Sequence, residues 1–204
     1  MKRPEFIKKS LFGIFAGITI PSFATSKEKI SERIITLKNN IGFNHMPNIE
    51  DKNINTVIHR ANTRNSADFG WLKVNHTFSF ASYQNLERMK FGMLRVLNDD
   101  VVEPKMGFGT HPHKNMEIIS IPLKGALKHR DSLSNEWIPL NTGEVQVMSA
   151  GSGIRHSEMN NHPVEEVNLF QTWIIPNQHN VTPRYGQKVF EASERKNKLQ
   201  TLVS

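Results

Sequence analysis

From residue 54 onward the apolar positions fall in short runs with β-type character, separated by clusters of turn residues, and no helical period is sustained. The pattern predicts strands over Asn55–His59, Phe91–Leu97, Met116–Leu123, Ala126–His129, Val145–Met148 and Val167–Ile175. The breaks hold turn chemistry: Asn98-Asp99-Asp100, Pro104, Lys124-Gly125, Ser134-Asn135, Thr142-Gly143 and Gly151-Ser152-Gly153. Phe78 and Phe80 alternate with polar neighbours, as in a half-buried strand or extended loop. No intervening stretch is long enough for a crossover helix, so an all-β sandwich or barrel is expected rather than an α/β fold. Thr25 to Asn53 is polar and weakly periodic. Ser26 to Lys38 has Ile30, Ile34 and Leu37 near one helical face, and the whole stretch reads as a tether.

Composition narrows the chemistry. At 204 residues, with 37% apolar and 22% charged residues, the chain can bury one medium-sized core. Its formal charge is +7, of which Lys2, Arg3, Lys8 and Lys9 against Glu5 supply +3. The other basic residues are scattered, so no nucleic-acid partner is expected. Cysteine is absent, which excludes disulfides, thiolate ligands and cysteine nucleophiles; any metal must be held by nitrogen and oxygen.

Residues 1–24 have the layout of an export signal: a basic start, an apolar run from Ser10 to Phe23, and small Ser22 and Ala24 at a cleavage site. The run is short and contains Pro21, which argues against a stable membrane span. Arg3-Pro-Glu-Phe-Ile-Lys8 is similar to a twin-arginine signal with Pro4 in place of the second arginine. Export to the periplasm is expected, the alternative being an uncleaved tail on a cytoplasmic protein.

Two dyads stand out, His111-Pro112-His113 and His156-Ser157-Glu158. On an extended chain residues i and i+2 point the same way, so each dyad offers two ligand-type side chains on one face. With the two strands facing each other across a barrel, all four groups converge on one ion. Three imidazoles and a carboxylate suit iron, manganese, nickel, copper or zinc. On an octahedral ion they leave two positions open; on zinc the same four close a tetrahedron. Spacing alone does not choose between these.

The flanking sequence resembles the cupin superfamily. Glu117 and Gly125 follow the first dyad, and Gly143 through Gly151 leads to His156 and Asn160, with Ser149 where cupins carry a proline. More closely, the chain is similar to the pirin family from about Val57 to Phe190. The likeness rests on Gly70-Trp-Leu-Lys-Val-Asn-His-Thr-Phe-Ser-Phe80, Phe91-Gly-Met-Leu-Arg-Val-Leu-Asn-Asp99, Gly107 through Ile119, His129-Arg-Asp-Ser132 and Met148 through Glu158. Ser134 replaces a glycine of the family's turn, and Asn135 beside it tolerates a left-handed backbone.

The resemblance implies a cupin (double-stranded β-helix, jelly-roll) barrel over residues 55–190, after a linker at 25–54. Residues 191–204 are read as the start of a second barrel that the chain largely lacks. It also implies that His111, His113, His156 and Glu158 hold one divalent metal, Fe(2+) first, with Mn, Ni, Cu and Zn as alternatives. Glu117 takes a supporting role. The implied activity is quercetin 2,3-dioxygenase-like: opening of a flavonol ring with dioxygen and release of carbon monoxide, with Glu158 as general base. The alternative is a non-enzymatic, metal-dependent regulatory partner. His76 and His129 are expected to serve as hydrogen-bonding structural residues; His45, His59, His162 and His179 as exposed or loop residues. The aromatics Phe69, Trp71, Phe78 and Phe80 are expected in the core.

Overall fold

The structure, a computed structural model, describes residues 58–204. The export-like segment, the tether and most of the expected strand Asn55–His59 lie outside the described residues; Ile58 and His59 themselves are not in a strand. Ile58–Ala192 and Leu202–Ser204 form one compact unit, and the described part of a second unit is Ser193–Thr201.

The strands are β1 (Asn65–Asp68), β2 (Leu72–His76), β3 (Leu94–Val102), β4 (Gly107–His113), β5 (Glu117–Lys124), β6 (Ala126–Asp131), β7 (Ile138–Asn141), β8 (Glu144–Ser149), β9 (Ile154–Asn160), β10 (Val167–Ile174) and β11 (Arg184–Val189). They form a seven-stranded sheet, β1-β2-β3-β10-β5-β8-β11, and a four-stranded sheet, β4-β9-β6-β7. All pairings are antiparallel. Among the described residues no helix is long and apolar enough to cross a membrane.

Each inner face alternates with an outer one along the strand. One apolar cluster joins Leu72, Val74, Val102, Val167 and Leu169 of the larger sheet to Leu127 and Leu140 of the smaller. A second joins Ile118 and Met148 to Ile154. Burying a side chain of this kind contributes roughly 1.5–3 kcal/mol. A polar row, Asn98, Gln171, Ser120 and Gln146, crosses four adjacent strands of the larger sheet as register partners on one face. All four are buried. Buried polar groups are usually paired, and Ser120, Gln171 and Gln146 find partners on the opposite sheet, Glu158 for the first two and His129 for the third, whereas Asn98 Oδ1 is left without one.

Asn98-Asp99-Asp100, expected as a turn, lies within β3 and is buried. Tertiary partners override the local preference: Asp99 is fully buried, pairs with Arg64 at 3.1 Å and accepts from Asn168 Nδ2 at 2.8 Å. Strands β1, β2, β7 and β11 have no counterpart in the sequence expectation because they are short or mostly polar. Of the four aromatics expected in the core, Phe78 is buried, Trp71 and Phe80 are half-buried, and Phe69 is 58% exposed.

Candidate metal centre

The two dyads lie on β4 and β9, but these strands do not face each other across a barrel. They are hydrogen-bonded neighbours in the four-stranded sheet, with His111 opposite His156 and His113 opposite Ile154. Directly paired residues share a face, so the imidazoles meet side by side. β4 is an edge strand of its sheet, which is why Pro112 fits between the histidines without breaking a ladder.

A register shift between Phe108 and His111 sets the phase of the site. Phe108 pairs with Glu158 and, two positions along β9, His111 pairs with His156. One extra residue on β4 therefore lets Phe108 and His111 both face inward, Phe108 into the apolar cluster and His111 towards His156. The bulge carbonyl of Gly109 accepts a hydrogen bond from His111 Nδ1 at 2.8 Å. That places the proton on Nδ1 and leaves the Nε2 lone pair available.

One ligand atom from each of His111, His113 and His156 lies within 4.8 Å of the others. The Nε2 atoms of His113 and His156 are buried and have no hydrogen-bond partner. Buried polar atoms are rarely left so, and two of them converging among three imidazoles fit a cation. Burial depresses the basicity of His113 to about 4, helped by His111. Deeper burial, with His111, His113 and His129 nearby, depresses His156 to about 2. Both offer lone pairs rather than protons at neutral pH.

Glu158 is 2% exposed and sits among donors. Its carboxylate accepts from Ser120 Oγ at 3.0 Å and from Gln171 Nε2 at 2.9 and 3.2 Å. Glu158, His156 and His129 form a second close group, so His156 belongs to both. His129, expected as a structural residue, is fully buried and donates from Nε2 to Asp131 at 2.8 Å. Glu117 stands apart from these groups and accepts from the Ser149 hydroxyl, which in turn accepts from Arg184 Nε at 2.9 Å. His76 is buried against Phe80 and Tyr83, and His59 and His179 are exposed. His45 lies outside the described residues.

Ser120, Gln146, Gln171 and Asp131 are absent from the sequence expectation. A polar residue on the inner phase of an otherwise apolar strand was the available signal, as in Ile118-Ile-Ser-Ile-Pro122 and Leu169-Phe-Gln-Thr-Trp173. Trp173 packs edge-on against His113 at 4.9 Å and against Phe80 at 5.3 Å, which gives the triad an aromatic wall. His111 and His113 are half-buried, whereas His156 between them and the second group is buried.

The Pirin family model matches residues 58–174, a span that contains His111, His113, His129, His156, Glu158 and Gln171. A protein of Escherichia coli (strain K12) named quercetin 2,3-dioxygenase is 51% identical over 140 residues, 68% of this chain and 60% of that protein. A pirin-like protein of Caulobacter vibrioides is 49% identical over 138 residues, 68% of this chain and 59% of its own length. The chain thus spans about three fifths of the curated relatives it matches. Among solved structures, the Escherichia coli pirin YhhW in complex with nickel(II) superposes with a TM-score of 0.62 at 45% identity, over 70% of this chain and 65% of that one.

Proposed function

This chain belongs to the pirin family, and from that premise we propose that it is a metal-dependent dioxygenase acting on a flavonol such as quercetin. The observation that carries this reading is the pair of buried, unpartnered Nε2 atoms of His113 and His156 beside His111. His111, His113, His156 and Glu158 hold a divalent ion, with Fe(2+) as the first candidate. Nickel is the ion in the complex of YhhW and is the second. The donor set of imidazole and carboxylate suits either.

When bound, the ion supplies Lewis acidity towards a substrate hydroxyl and a redox partner for dioxygen. The chain supplies the rest. Glu158 takes the proton of the flavonol 3-hydroxyl, and Ser120 and Gln171 hold its carboxylate in place. Trp173 and Phe80 offer an apolar wall for a flat aromatic substrate. The half-exposed His111 and His113 give access from outside, unlike the closed surroundings of a structural zinc site. Export of the chain after cleavage at Ala24 belongs to the same proposal, and a mature N-terminus at Thr25 in a periplasmic fraction is the expected result.

The test is aerobic incubation of protein of measured metal content with quercetin. Metal-dependent loss of the flavonol and release of carbon monoxide are expected from the iron-loaded or nickel-loaded chain. A folded, fully loaded protein that leaves quercetin intact overturns the dioxygenase reading.

A further inference from the structure

Behind His156, on the side away from His111, lies a buried arrangement that the proposed reaction does not itself use. His129 is fully buried at the centre of β6, and its two ring nitrogens have different partners. Nε2 lies 2.8 Å from Asp131 Oδ2. The carboxylate oxygen is an acceptor, so Nε2 carries a proton. Nδ1 lies 3.1 Å from Gln146 Nε2, an amide nitrogen that can only donate, so Nδ1 presents a lone pair. The same Nδ1 faces His156 Nδ1 at 3.5 Å. A nitrogen facing a lone pair at that distance is stabilised as N–H. His156 therefore carries its proton on Nδ1, and its lone pair sits on Nε2, the buried atom that has no partner and joins the triad.

Asp131 is itself anchored. Its other oxygen accepts from the backbone N–H groups of Leu133 at 2.8 Å and Ser134 at 3.3 Å. The turn is completed by Asn135 in the left-handed conformation, φ 58°, with its N–H on the Asp131 carbonyl at 2.8 Å. Register keeps the parts together, since Asp131 is the cross-strand partner of His156, and His129 that of Glu158. Tyr185 closes the other face of the His129 ring at 5.0 Å. The order runs from a turn that fixes a carboxylate, through a carboxylate that fixes one imidazole, to a second imidazole whose tautomer is thereby set.

We infer that His129 and Asp131 are positioning residues that hold His156 as its Nδ1–H tautomer and aim its Nε2 at the metal. The inference rests on the metal-binding reading above. It assigns His129 to the support of a ligand and not to ligation, although His129 lies within 4.8 Å of His156 and Glu158. Both of its nitrogens are already engaged.

The experiment uses the full chain with His129→Leu, His129→Gln and Asp131→Asn variants. In chelator-treated protein, imidazole nitrogen NMR is expected to show His156 as Nδ1–H, and as a mixture of tautomers in His129→Leu. Nickel(II) titration is expected to show affinity about 10–100-fold weaker for His129→Leu, a smaller loss for Asp131→Asn, and partial recovery in His129→Gln, whose amide oxygen can accept from Nδ1. X-ray absorption of the nickel-loaded variants should keep the wild-type number of imidazole donors. An unchanged tautomer with unchanged affinity overturns the inference, as does loss of one imidazole donor in His129→Leu, which would make His129 a ligand. Where His129→Leu fails to fold, the isosteric Asp131→Asn decides on the same two readouts. Wild-type protein that takes up neither nickel nor iron sinks the metal-binding reading instead, and the tautomer spectrum then judges the inference alone.

Discussion

At the scale of single residues, the site works by giving each imidazole one defined free lone pair. The Gly109 carbonyl does this for His111 by holding its proton on Nδ1, and burial keeps His113 and His156 from taking up a second proton. A pH dependence follows. An unfolded imidazole titrates near 6.5, whereas folded His113 titrates at about 4 and His156 at about 2. Between pH 6.5 and 4 the unfolded chain therefore binds protons that the folded chain refuses, and stability falls as pH falls. Above pH 6.5 both groups are deprotonated in both states, and their contribution is fully present. Thermal unfolding of chelator-treated protein should show the decline through that window, with a shallower slope in His156→Gln; an equal slope would remove His156 from the account. Gln171 Nε2 donates to both oxygens of Glu158, at 2.9 and 3.2 Å. Gln171→Leu should cost roughly 1–3 kcal/mol by leaving part of a buried carboxylate unsatisfied, measurable by urea unfolding.

At the scale of elements, the phase of β4 decides whether the histidines face the interior. Its bulge adds one residue opposite β9, and side chains alternate with a period of two. Deleting Thr110 should restore regular pairing with His111 two positions after Phe108, which keeps the His111-Pro112-His113 dyad facing inward opposite His156. The expected result is a β-type circular dichroism spectrum with nickel binding retained; lost binding would mean that the dyad does not keep its register once the bulge is removed. The neighbouring close approach has its own requirement. A Cβ on Gly107 would sit 2.5 Å from Met159 Cα and closer still to the Glu158 carbonyl. Gly107→Ala should push β4 away from β9 and destabilise by about 1–3 kcal/mol, seen as a lower denaturant midpoint.

At the scale of the whole molecule, the two sheets place apolar clusters on either side of a polar middle layer, and the candidate metal centre lies in that layer. An ion that binds only the folded state stabilises it by about 2.7 kcal/mol at a hundredfold excess over its dissociation constant. For a chain of this size that corresponds to a rise in Tm on the order of 5–10 °C, reversed by chelator. The sequence by itself determined the β class, several strands and the identity of the paired dyads, because alternation and ligand chemistry are local properties written within a few residues. It did not determine that β4 and β9 are neighbours, that one extra residue sets the phase of β4, or that Asn98-Asp99-Asp100 runs on as a strand. Nor did it reveal Ser120, Gln146, Gln171 and Asp131 as partners of the site. Those depend on which strands pair and in what register, a choice made by burial and hydrogen bonding between segments far apart in the chain. Only the tertiary structure holds that information.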